Sequence, residues 1–306
     1  MKRFLVRTFF FFVILALVFV VSLFLVPNTK IGDNSLYASF DKHERLSSLR
    51  SPKILLVGGS NLPFGIMSKK LEGATGMPVV DMGLHAGLGM NFILSEVEDN
   101  IHQGDVIVVS LEYHHFLSKS MFNGEDVLVA LLFDVNNGCL KYVKLRQWIA
   151  LLPNMCLYAS KKILNITPKV EDGFEDLFTR ESFNEYGDEM AHYGLPSTVH
   201  SGHEKALNGS VYKKSIKRLA EFRDFVESKG AKFVLVACPY PEAQFYLDEE
   251  AIVRIEEEML SAGLPFSIEP QDCIFPDSLM FNSFFHLSKE GAENRTAKLI
   301  EVLTTQ

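Results

Sequence analysis

The chain is poor in several of the features that usually announce a function. It has four cysteines in 306 residues, Cys139, Cys156, Cys238 and Cys273, and no Cys-x-x-Cys pair. That spacing matches no zinc or dithiol motif and fixes no disulfide pairing, so no chemistry is assigned to these thiols. Neither Gly-x-Gly-x-x-Gly nor Gly-Lys-Ser/Thr occurs, which removes the common phosphate-binding loops. Basic residues are not in excess: 30 Lys and Arg stand against 38 Asp and Glu, a net charge of −8. A nucleic-acid partner is therefore disfavoured. Long charge runs are absent too, and with 47% hydrophobic residues the chain has enough apolar surface to fold.

What is present is unevenly spread. The mean hydropathy of +0.11 is high for a soluble enzyme, and the excess sits at the N-terminus. Residues 1–26 hold seven of the phenylalanines, and from Thr8 to Val26 there are 19 residues without a charge. At about 1.5 Å per helical residue such a run nearly spans a hydrocarbon core of about 30 Å. Lys2, Arg3 and Arg7 precede it, which predicts a cytoplasmic N-terminus and an exported, periplasmic-side body. The run is longer than a signal-peptide core and ends in bulky residues, Ser22-Leu-Phe-Leu-Val-Pro27, so a single-pass anchor in the cytoplasmic membrane is expected rather than a cleaved signal. With the three basic residues set aside, the rest carries 27 basic against 38 acidic residues, a net of −11. Residues 27–50 are polar and irregular and read as a tether.

From residue 51 the pattern alternates. Short apolar runs at 53–57, 78–82, 105–110 and 231–237, with a weaker one at 264–268, read as strands covered on both faces. Helical periodicity appears at 66–72, 89–101, 212–228, 249–262 and 288–303, the last opened by a Ser288 cap. Strands alternating with helices imply an α/β fold with an open parallel sheet flanked by helices. Residues 117–210 interrupt the alternation and read as an insertion that could form a lid or partner surface beside the carboxyl ends of the strands.

Two places in this frame can carry chemistry. Gly58-Gly59-Ser60-Asn61 directly follows the first strand. A serine there can act as a nucleophile, with backbone N–H groups at the turn for an oxyanion. The same tetrapeptide also suits a plain tight turn with a helix cap. His286, in Asn282-Ser-Phe-Phe-His-Leu-Ser288, opens the last helix and can serve as a base for Ser60, or be a structural histidine.

Gly-x-Ser-Asn after the first strand, a glycine-rich turn after the second and His-Leu-Ser-x-x-Gly before the last helix together resemble the SGNH/GDSL hydrolase superfamily. The likeness covers residues 53–116 and 231–303. It implies a flavodoxin-like sheet, Ser60 as nucleophile and His286 as base. It also implies an oxyanion site built from the Ser60 amide and a glycine of Asp81-Met-Gly-Leu-His-Ala-Gly-Leu-Gly89, either Gly87 or Gly83. Two departures stand out. The family's orienting Asp falls at Ser283, which leaves Asn282 as the neighbouring candidate. The third-block Asn is missing, and the chain reads Ser110-Leu-Glu-Tyr-His-His-Phe116. Glu112, Tyr113 and His114 are candidates for the site rim, together with Asn61, Ser283 and Tyr240, the last able to stack on a sugar ring. The same residues suit a polar cluster at a strand end. Anchored relatives of this kind act on O-acyl groups of exported polysaccharides. The resemblance therefore implies an O-acetyltransferase or acyl esterase, or else a catalytically impaired binding or assembly module of a cell-envelope polysaccharide system. Its partners would be a glycan and an acyl donor or a membrane acyl-transfer protein. No cofactor is expected. His114, His115, His192, His200 and His203 lack the acidic or thiol companions of a zinc site, so no metal is expected either.

Overall fold

The computed structural model describes residues 1–28, 34–166, 177–203 and 205–305. Its centre is a parallel sheet of β1 (Ile54–Gly58), β2 (Val79–Asp81), β3 (Val106–Ser110) and β4 (Lys232–Leu235), in the order β2-β1-β3-β4. The pleat explains the continuous apolar runs. Leu55, Val57, Ile107 and Val109 enter one hydrophobic cluster, while Ile54, Leu56, Val108 and Val234 enter another on the opposite face. The expected fifth strand is reduced to one bridge, Val236 to Ile268, beside β4. Pro265 just before it has no N–H to extend a ladder. A two-residue pair, β5 (Tyr240–Pro241) with β6 (Ile274–Phe275), lies beyond it. At the other end of the strands, Asp105 accepts from the Lys53 amide at 3.0 Å and from its ammonium at 3.0 Å, which locks the starts of β1 and β3 together.

The helices are α1 (Lys2–Phe24), α2 (Ala38–Ser48), α3 (Ser68–Thr75), α4 (Met90–Ser95), α5 (His114–Leu117), α6 (Lys119–Asn123), α7 (Asp126–Ala130), α8 (Leu145–Ile163), α9 (Lys213–Ser228), α10 (Glu242–Ser261) and α11 (Lys289–Thr304). Leu71 of α3 and Leu299 of α11 cover one face of the sheet; Phe92 of α4, Leu219 of α9 and Ile252 of α10 cover the other. Ser288 caps α11 by accepting from the Gly291 amide, as the sequence suggested. α10 starts earlier than its periodicity implied because Pro241 leads straight into it.

Of the stretch expected to be an irregular tether, residues 29–33 lie outside the described residues, and residues 34–50 are instead part of the body. It holds a 3-10 turn (Ser35–Tyr37) and α2, with Leu36 and Leu46 buried. The charges of α2 had hidden this, because Lys42 is buried and donates to the carbonyls of Asp81 and Gly187. α1 is long and apolar enough to cross a membrane, and none of the residues in its apolar window is buried in the rest of the chain. Its last turn is seated firmly: Leu23 is buried, Phe24 packs on Phe133, and Lys162 donates to the Leu23 carbonyl. Within the insertion, α6 to α8 form a helical layer packed on the loop after β2, and the Thr198 amide donates to the Phe281 carbonyl.

Candidate active site

Ser60 and His286 lie 226 residues apart in sequence and meet at the carboxyl end of β1. The Ser60 hydroxyl is 2.9 Å from His286 Nε2, and Nδ1 is 2.7 Å from Asn282 Oδ1. An amide oxygen can only accept, so Nδ1 carries the proton and Nε2 presents its lone pair to the hydroxyl. That is the tautomer a general base needs.

Each member is held by local structure. β1 ends in two glycines for steric reasons. A Cβ on Gly58 would lie 2.0 Å from the Ser110 carbonyl oxygen, and one on Gly59 would lie 2.3 Å from Glu112 Oε1. The chain then turns, with Phe64 N–H donating to the Ser60 carbonyl at 3.1 Å. His286 is fixed by a tight loop in which the Phe281 amide donates to the His286 carbonyl and the Leu287 amide to the Phe64 carbonyl. The Phe64 ring stacks on the imidazole with centroids 4.0 Å apart and planes 11° from parallel. Ser60 is half-buried and His286 is 8% exposed. Burial pushes the His286 pKa down to about 3; His192 and His85 add to this, and Glu112 opposes it. The imidazole is therefore neutral at ordinary pH.

Below the serine lies a buried polar network. Asn61 donates to the Ser110 carbonyl and to Glu112, and its Oδ1 accepts from the Ser110 hydroxyl and from Arg295. Arg295 also donates to the carbonyls of Asn61 and Ala237. Glu112 stands 3.2 Å from His115 Nδ1, while His115 Nε2 lies 3.0 Å from the Ala86 carbonyl. Both ring nitrogens of His115 thus face acceptor atoms. Burial alone would raise Glu112, but the pairing with His115 and the Asn61 amide bring it down to about 2.

Several expected rim residues are not on a rim. Asn61 is fully buried and spends its amide on the network. Glu112 is buried beneath Gly59. Tyr113 is buried edge-on to Tyr240, and its hydroxyl has no hydrogen-bond partner among the described residues. Tyr240 is 1% exposed and donates to Asp248 at 2.8 Å, so it offers no face to a sugar. Only His114 is exposed, its ring against Phe285. Burial still lowers its pKa. Ser283 does not orient the histidine; its hydroxyl accepts from the Phe285 amide and closes the loop, which leaves that role to Asn282. The glycine donors are also taken. The Gly83 amide donates to Asp81 Oδ1 at 2.7 Å and the Gly87 amide to His85 Nδ1 at 2.9 Å. Among the described residues the Ser60 amide has no protein acceptor, so its N–H is free to donate.

The sequence reading missed one pair and two single residues as contributors. Glu189 and His192, from the insertion, form a fully buried pair, and His192 Nε2 lies 3.0 Å from the Leu287 carbonyl beside the His286 loop. The His192 ring packs on Phe64 and Phe281. Arg295 was the second omission and Phe64 the third. A signal existed for the pair: Glu-x-x-His occurs at both 112–115 and 189–192, a spacing that brings the two side chains onto one side of a turn. Among the described residues no group of three His, Cys, Asp or Glu could hold a metal ion. The four thiols are unpaired, and Cys238 is buried just beyond β4 as its apolar approach suggested.

No protein-family model matches the chain, and no curated protein matches it significantly.

Proposed function

We propose that this chain is a membrane-anchored, SGNH-like serine acyl esterase or O-acetyltransferase that acts on an exported glycan. The observation that carries the reading is the Ser60–His286–Asn282 line, at 2.9 and 2.7 Å, with a neutral imidazole in the productive tautomer. The strand order β2-β1-β3-β4 supports it, being the order of flavodoxin-like sheets, as does the position of the pair at the strands' carboxyl ends. The acceptor class rests on the motif resemblance and on the anchor-like α1.

In this mechanism Ser60 Oγ attacks the ester carbonyl carbon as its proton passes to His286 Nε2. The Ser60 amide faces the developing oxyanion. Collapse breaks the bond to the leaving oxygen, which takes the proton from Nε2, and the acyl group remains on Ser60. A glycan hydroxyl or water then gives its proton to Nε2 and attacks the acyl carbon, and the proton returns to Ser60 Oγ. Asn282 orients the ring but places no negative charge beside the imidazolium.

A weak or silent site is the second reading. It is favoured by that neutral partner together with the deeply lowered His286 pKa. One experiment separates the two. The full-length chain in detergent is treated with a fluorophosphonate probe, alongside Ser60→Ala and His286→Ala. Adduct on Ser60 that depends on His286 supports catalysis. Absence of adduct with retained glycan binding supports the binding module and overturns the enzyme.

A further inference from the structure

α8 is amphipathic in an unusual way, because both of its faces are apolar. One face packs on the body through Leu151, Met155 and Tyr158, with Tyr158 bonded to Asp134 at 2.6 Å and Gln147 to the Asn123 carbonyl at 2.7 Å. The other face leaves Leu145 78%, Ile149 70%, Leu152 49%, Leu157 53% and Ile163 54% exposed. A soluble body rarely leaves so continuous an apolar stripe uncovered. The stripe is also continuous with α1. An open apolar groove of about 420 Å³ runs between the two helices, lined by Phe12, Leu15, Phe19, Leu152, Cys156 and Ile163.

Charge points the same way. The body is acidic, yet from residue 135 to residue 166 there is no Asp or Glu, while Lys141, Lys144, Arg146, Lys161 and Lys162 are present. Lys161 and Lys162 turn toward Asp126 and Asp134 and Lys144 toward Glu98, whereas Arg146 is exposed at the start of α8. The chain's one tryptophan, Trp148, lies on this helix, half-buried against Phe133. An apolar face with basic flanks and an aromatic ring is the composition of a helix lying in a membrane interface.

The geometry points to a second membrane element: α8 lies in the same bilayer leaflet as the last part of α1, with its Leu145–Ile163 outer stripe in the acyl-chain boundary. The α1 residues that face it run from Phe12 to Ser22, about 15 Å of helix at 1.5 Å per residue, roughly half of a hydrocarbon core. Acyl chains fill the groove between the helices. The body is thereby held against the bilayer at one height instead of swinging on a single stem. This inference does not depend on the chemistry at Ser60. It does depend on α1 entering the membrane.

Trp148 tests it without any added label. The full-length chain is reconstituted in phosphatidylcholine vesicles with and without acyl-brominated lipid. A second chain, Trp148→Phe with Phe10→Trp, reports on α1 alone. The expected result is loss of emission by brominated lipid for both probes. Ile149→Glu with Leu157→Glu, at two exposed positions, should then restore the Trp148 emission while leaving the Phe10→Trp probe quenched. Quenching of the α1 probe, with Trp148 quenched by aqueous iodide and not by brominated lipid, would overturn the α8 placement and leave the stripe to water or a protein. Failure of both probes to meet brominated lipid would remove the anchor and this inference with it, without touching the Ser60 reading.

Discussion

Replacing Asn282 by Asp asks whether His286 is the base and what limits it. In the present site an amide oxygen accepts from Nδ1 at 2.7 Å, and the imidazole pKa is pushed down to about 3. A carboxylate in that place adds an opposite charge to a buried imidazolium. Charges this close move a pKa by about 1–3 units, which brings His286 to about 4–6. Each unit is about 1.4 kcal/mol, or tenfold, in the stability of the imidazolium relative to the neutral ring. If the proton has passed to Nε2 in the transition state, acylation of Ser60 should quicken by about 10- to 1,000-fold. That is below the roughly 10⁴-fold effect of the opposite change in a serine protease, where the tautomer is also lost. The assay is the second-order rate constant for fluorophosphonate labelling, or turnover of p-nitrophenyl acetate, by the full-length chain in detergent. Wild type is compared with Asn282→Asp and Asn282→Ala, with His286→Gln as the baseline. The expected order is Asp above Asn above Ala. A folded Asn282→Asp chain that reacts no faster than wild type would refute the reasoning, because imidazolium stabilisation would then not be part of the rate.

The remaining predictions are more local. Ser60→Ala should abolish labelling while lowering stability by no more than about 1 kcal/mol, the loss of one hydrogen bond at a half-buried hydroxyl, read by thermal unfolding. Gly59→Ala drives a methyl into the buried Glu112 carboxylate and should cost about 1–3 kcal/mol or more in the same measurement, with the Ser60 turn displaced. Acid should weaken the fold in two overlapping windows. His286 binds its proton less readily folded than unfolded, so stability falls as pH drops from about 6.5 toward about 3; Glu112, held down at about 2, loses its contribution as pH drops below about 4.5. Each group contributes a slope near 1.4 kcal/mol per pH unit inside its window. His286→Gln should therefore flatten the unfolding free energy between pH 6.5 and 5, and an unchanged slope would show that His286 is not buried as a neutral ring.

Legibility was highest where a side chain acts through its neighbours in sequence. The buried strands were visible because Ile54–Gly58 and Val106–Ser110 are covered on both faces and need no alternation. Legibility failed where burial overrides polarity. α2 looked like a tether because its charges are in view in the sequence, yet Lys42 finds two backbone carbonyls 39 and 145 residues away. Tyr240 looked like a sugar platform because tyrosine at a strand end is common in sites, yet Asp248, one helical stretch later, takes its hydroxyl inward.

By itself the sequence determined the apolar N-terminal run, the parallel α/β pattern, and Ser60, His286 and Asn282 as residues worth pairing. These follow from local periodicity and from residue types at element ends, which a linear chain displays. Only the tertiary structure decided that the serine and histidine stand 2.9 Å apart, that Ser283 closes a loop while Asn282 orients the ring, and that Gly83 and Gly87 have already given their N–H groups away. It also brought Glu189 and His192 from the insertion to the back of the His286 loop and set α8 beside α1. Such facts depend on which segments share a surface after folding. That is a matter of long-range packing and of desolvating charge in pairs, and neither is written in the spacing of residues along the chain.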